Sequence, residues 1–119
     1  MTNKEFSKEL EKRTKIYAIS IIKLSTSLPK TEEMNVIKRQ LTKSGTSVGA
    51  NYREANRSRS KADFVNKIKI CESEANETLY WIEIIEDLIT KNAAGTIQLK
   101  KESIELLAIF TSISNSLKA

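Results

Sequence analysis

The sequence contains no histidine. This rules out imidazole acid-base catalysis, Ser-His-Asp triads, His-ligated zinc and the Glu-x-x-His di-iron sites of some helical bundles. Cysteine occurs once, as Cys71, so no disulfide can form within the chain. A lone thiol suits a reducing compartment, and its neighbours Ile70 and Ala75 mark it as a small buried hydrophobe. With three glycines and one proline in 119 residues, little of the chain is turn. Gly45 and Gly49 do not have the spacing of a phosphate-binding or dinucleotide-binding loop. No uncharged apolar run approaches the ~20 residues of a membrane span. The charged start, Met1 through Lys15, does not resemble a signal peptide. The expectation is a cytoplasmic protein with no membrane contact, no metal and no cofactor.

What is present favours helix. Ile, Leu, Ala, Glu, Lys and Ser dominate, and Val is scarce. A chain of 119 residues fits one domain, spanning residues 1–119. Four amphipathic segments are legible. In the first, from about Asn3 to Ser27, Phe6, Leu10, Arg13, Tyr17, Ser20, Leu24 and Leu28 recur at spacings of three and four. Thr2 and Glu5 form a capping box, and Pro29 ends the pattern. Thr31 caps the second segment, which turns Ile37, Leu41, Ser44, Val48 and Ala55 inward and ends near Asn56 or Arg57.

Ser60 caps the third segment, with Asp63 in its first turn. Its core spacing is Phe64, Ile68, Cys71, Ala75, Leu79, Ile82 and Ile89. Asn92-Ala93-Ala94-Gly95 ends it, with Gly95 suited to a left-handed residue. The fourth segment runs from Thr96 to about Leu117 on Ile97, Ile104, Leu107, Ile109, Phe110 and Ile113. Short connections make neighbours antiparallel, so the predicted fold is all-α, an up-down-up-down antiparallel four-helix bundle.

Two stretches are more apolar than a lone bundle requires. From Leu79 to Ile89, eight of eleven residues are apolar, and Tyr80, Trp81, Ile84 and Ile85 spread well beyond the stripe of ~100° that a bundle helix needs. Ile16 to Ile22 is similarly broad. A second copy of the chain is the natural cover for such a surplus. Gly45 and Gly49 lie mid-helix, where each costs ~1 kcal/mol against Ala. Four residues apart, they share one side and admit a closely packed helix, from the same chain or another subunit.

Charge is distributed unevenly. The formal net charge is +5. Residues 38–69 hold nine Lys or Arg and two acids, whereas residues 70–90 hold six acids and no base. Lys38, Arg39, Lys43, Arg53 and Arg57 fall on the side of the second helix opposite its apolar face, and Arg59 and Lys61 continue the stripe. Lys and Arg in this density suit phosphate contact by counterion release. With only Tyr52 nearby, backbone contact outweighs base stacking. The alternatives are a solvated face, or pairing with the acidic part of the third helix on a neighbouring subunit.

The runs Ser44-Gly45-Thr46-Ser47-Val48-Gly49-Ala50-Asn51-Tyr52-Arg53-Glu54-Ala55, Ser60-Lys61-Ala62-Asp63-Phe64 and Glu74-Ala75-Asn76-Glu77-Thr78-Leu79-Tyr80-Trp81 resemble the bacterial four-helix bundle family, also called the ribosomal RNA intervening-sequence protein family. The resemblance implies a homopentamer. It also implies kinship with the accessory protein of diversity-generating retroelements, which binds nucleic acid and a reverse transcriptase. Ser47, Asn51 and Glu54 occupy the family's polar positions and are expected to tie helix two to helix three. The resulting expectation is a non-enzymatic, pentameric nucleic-acid-binding accessory protein, for RNA before DNA, acting through the basic stripe. The alternative is a protein-interaction scaffold whose partner is a polymerase or another polypeptide.

Overall fold

The computed structural model describes residues 1–89 and 95–118. Four helices follow one another: α1 (Asn3–Ser27), α2 (Glu32–Ala55), α3 (Lys61–Leu88) and α4 (Thr96–Ser116). They form the antiparallel four-helix bundle that the pattern predicts. The starts of α1, α2 and α3 are set by side chains. Thr2, Thr31 and Ser60 accept hydrogen bonds from the backbone N–H groups of Glu5, Met34 and Asp63. Each satisfies one otherwise orphaned donor. Ser60→Ala should therefore cost about 1 kcal/mol, read as a lower urea midpoint with an unchanged slope. Gly95 takes the left-handed conformation, φ +93°, as the cap of α4. The rest of the expected turn, Asn92 to Ala94, lies outside the described residues.

The core contains Tyr17, Ile21, Leu41, Val48, Ile68, Ile82, Ile85, Leu106 and Phe110, each at most 1% exposed. Tyr52 meets Phe110 edge to face, with ring centroids 5.5 Å apart. α2 and α3 pack along their lengths, as do α1 with α2 and α3 with α4. α1 meets α4 more sparingly, and α1 and α3 sit on the diagonal with their backbones apart.

The two glycines sit against α1 of the same chain. A Cβ on Gly45 would lie 2.7 Å from both Cγ atoms of Ile21. One on Gly49 would lie 3.0 Å from Thr14 Oγ1 and 3.2 Å from the Thr14 carbonyl carbon. Their role is packing between α1 and α2.

A belt of hydroxyls crosses the core. Tyr17 (α1) bonds Ser103 (α4), and the Thr78 (α3) and Ser44 (α2) hydroxyls bond each other at 2.9 Å. All four side chains are at most 1% exposed. Ser103 donates to the Leu99 carbonyl, so the Tyr17 hydroxyl is the donor to Ser103.

This belt explains where the periodicity misplaces the core. Ile97 and Ile104 are 46% and 49% exposed, while Thr96, Leu99, Ser103 and Ser114 take the inner face of α4. In α3, Thr78 is fully buried and Leu79 only partly. In α1, Phe6 is 40% exposed. The hydroxyls fit inside because carbonyls one turn back accept from Thr14, Thr78 and Ser103.

Candidate nucleic-acid interface

α2 presents the basic face as a ridge. Arg39, Lys43 and Arg57 are exposed, Lys38 is partly so, and Arg59 and Lys61 continue the ridge through the connection into α3. Among the described residues, none of these six lies within 4.0 Å of an acidic oxygen. Lys38, Arg39, Thr42 and Lys43 line a shallow hollow of about 390 Å³ together with Ser25 of α1. Three cations and two hydroxyl-bearing residues thus border one shallow hollow.

Arg53 departs from this picture. Its side chain turns toward α1, where Nε lies 3.8 Å from a Glu11 oxygen, and Asn56 donates to the same carboxylate at 2.9 Å. Arg53 lines a cleft over Gly49 with Thr14, Lys15 and Glu54. Its charge is partly spent within the chain.

The polar trio does not bridge α2 to α3 as expected. Ser47 donates to the Lys43 carbonyl and Asn51 to the Ser47 carbonyl, both within α2, and Glu54 is exposed. Residues at spacings of three and four reach their own helix backbone more readily than a neighbour. The α2–α3 bridges are instead Ser44–Thr78 and the weak Cys71 Sγ donation to the Val48 carbonyl at 3.5 Å. The Glu74 carboxyl is held above the usual range by burial and by Glu77, with Lys43 pulling the other way.

The apolar surplus divides. Ile85 belongs wholly to the core of its own bundle, one turn beyond Ile82. Trp81 packs partly on that core and donates to Glu77 at 3.3 Å. Ile84 is half-buried, and Tyr80 and Leu88 are 57% and 58% exposed. On α1, Ile16, Ile19 and Ile22 are 45–55% exposed.

A feature without a sequence signal is the seam between α1 and α4. Arg13 donates to both oxygens of Glu102, at 2.8 Å and 2.6 Å, and also reaches Glu105 at 2.9 Å. Those hydrogen bonds, Glu102 first, hold the guanidinium proton more firmly than usual. Among the described residues, no three acidic or cysteine side chains gather as a metal site, and no helix is long and apolar enough to cross a membrane.

No curated protein matches the sequence. The fold is similar to the crystal structure of a protein with unknown function from the S23 ribosomal protein family of Bacteroides thetaiotaomicron VPI-5482. The two share 32% identity with a TM-score of 0.81, over 92% of this chain and 97% of that one. Residues 7–112 match the 23S rRNA-intervening sequence protein family. With nearly the whole bundle inside that match, the chain belongs to the 23S rRNA-intervening sequence protein family.

Proposed function

We propose that this protein is a non-enzymatic, homo-oligomeric accessory protein that binds nucleic acid, RNA in preference to DNA, through the basic ridge of α2. The observation that carries the reading is that Lys38, Arg39, Lys43, Arg57, Arg59 and Lys61 reach solvent with no acidic partner among the described residues. Cations already neutralised by the chain would release few counterions; these six retain their charge for phosphates. The preference for RNA draws on the description of the family, which names a ribosomal RNA.

Oligomerisation supports the same reading. Each chain carries a formal +5, and five copies in a ring would present five ridges to one polyanion. Several weak contacts then act together by avidity.

Arg39→Ala is expected to weaken binding to many RNA sequences alike and to lower the salt slope by ~1 for the lost phosphate contact. Arg53→Ala should change the slope less, because Glu11 already offsets its charge. Fluorescence anisotropy with a short RNA across a salt series measures both. Binding that ignores salt, or its absence at low salt, would rule the reading out. A protein scaffold would instead keep its partner after nuclease treatment and after neutralisation of the ridge.

A further inference from the structure

The outer face of α1 is apolar and basic. Ile16, Ile19 and Ile22 are 55%, 45% and 46% exposed, and exposed Lys12, Lys15 and Lys23 lie among them within an arc of about 120° on the side away from the core. The outer face of α3, in its C-terminal half, is apolar and acidic. Tyr80 and Leu88 are 57% and 58% exposed, Ile84 is half-buried between them, and Glu77, Glu83 and Asp87 surround them. Among the described residues, none of these six charges has an ion-pair partner in its own chain. Each face runs along about two turns of helix, so their lengths match at roughly 9–12 Å.

Because α1 and α3 occupy diagonal corners of the bundle, the two faces point away from one another. They cannot cover each other within one chain. Pairing of like faces is disfavoured, since it would set lysines against lysines or carboxylates against carboxylates. Pairing of unlike faces buries isoleucine against tyrosine and leucine and sets opposite charges around the rim.

We infer that the outer face of α1 docks on the C-terminal outer face of α3 of a second copy, head to tail. This inference rests on the oligomeric part of the proposed function. Such a heterologous contact leaves a free α1 face and a free α3 face at each step, so association continues until a ring closes. It also means that the acids of α3 are engaged by α1 and not by the basic ridge of α2, which stays open to a polyanion.

Two exposed-site variants test it. Ile19→Asp sets a carboxylate against the acidic α3 face, and Tyr80→Lys sets an ammonium against the basic α1 face. Circular dichroism confirms that each retains its helix content. Native mass spectrometry at micromolar concentration should show wild type as a multimer and each variant alone as a monomer. An equimolar mixture should recover association, at least to a species containing one of each chain, because each variant keeps the face that the other needs. A monomeric wild type would overturn both the inference and the oligomeric reading beneath it. A multimeric wild type with unaltered variants, or a mixture that stays monomeric, would overturn the face assignment alone.

Discussion

Gly45→Val is expected to destabilise the bundle by about 3 kcal/mol, lowering Tm by roughly 10 °C for a domain of this size. The cause is distance. A Cβ at Gly45 would meet both Cγ atoms of Ile21 at 2.7 Å, well inside van der Waals contact. Ile21 is fully buried and β-branched, so it cannot swing aside. The helices must separate, and the cost exceeds the few tenths of a kcal/mol that Val gains over Gly in helix propensity.

A partner variant sharpens the test. Ile21→Ala alone opens a cavity and should cost about 3 kcal/mol. Combined with Gly45→Val, the valine carbons occupy part of the vacated space. The double variant should therefore be more stable than the sum of its parts predicts, by roughly 1–2 kcal/mol. Strict additivity in urea melts would show that the two residues do not share this contact.

Alkaline pH should unfold the protein earlier than a typical helical bundle. Burial pushes the Tyr17 hydroxyl up from 10.0 to about 12, with the Ser103 hydrogen bond working against it. Burial likewise pushes the Cys71 thiol up from 9.0 to about 12. Both groups hold their protons more tightly folded than unfolded. Below pH 9 the two states are protonated alike and these groups contribute their full stability. Above pH 9 for Cys71, and above pH 10 for Tyr17, the unfolded chain ionises while the folded one does not. Stability then falls until about pH 12, by on the order of 2–4 kcal/mol for each group.

The expected result is a urea midpoint that is level to about pH 8.5 and then declines. Cys71→Ala should delay the onset toward pH 10, and Tyr17→Phe should flatten the later part. The phenylalanine variant should lose only about 1 kcal/mol at neutral pH, because Ser103 keeps its bond to the Leu99 carbonyl. A midpoint unchanged to pH 11 would contradict the buried, neutral state of both groups.

The fold was legible because its boundaries are written in local chemistry. Thr2, Thr31 and Ser60 cap where a helix start demands an acceptor, and Pro29 forbids continuation. The phase of α4 was harder to read. Hydrophobic periodicity ranks Ile97 and Ile104 above Ser103 and Ser114, yet the serines are inside. Nothing in spacing alone shows that a buried hydroxyl has a carbonyl one turn back and a tyrosine opposite.

The basic ridge was legible as well, since charge on one side of a helix follows from spacing. The partial pairing of Arg53 was not, because Glu11 is distant in sequence and reaches it only once α1 lies on α2. The same holds for Gly45 and Gly49. Their spacing announces a close approach, and only the fold identifies Ile21 and Thr14 as the neighbours.

The α1–α4 seam bears on how the chain is assembled in time. α2 and α3 pack more extensively than any other pair of helices and are joined by a short connection, so their pairing brings the most contact for little loop entropy. Bringing Arg13 to Glu102 closes a loop of 89 residues. The central hairpin should therefore form first, with the terminal helices added to its two sides and the seam sealed last. The same order applies in reverse to local opening. Amides along α1 and α4 should exchange with solvent before those of α2 and α3, and loss of the Arg13 ion pair should widen that difference without loosening the hairpin.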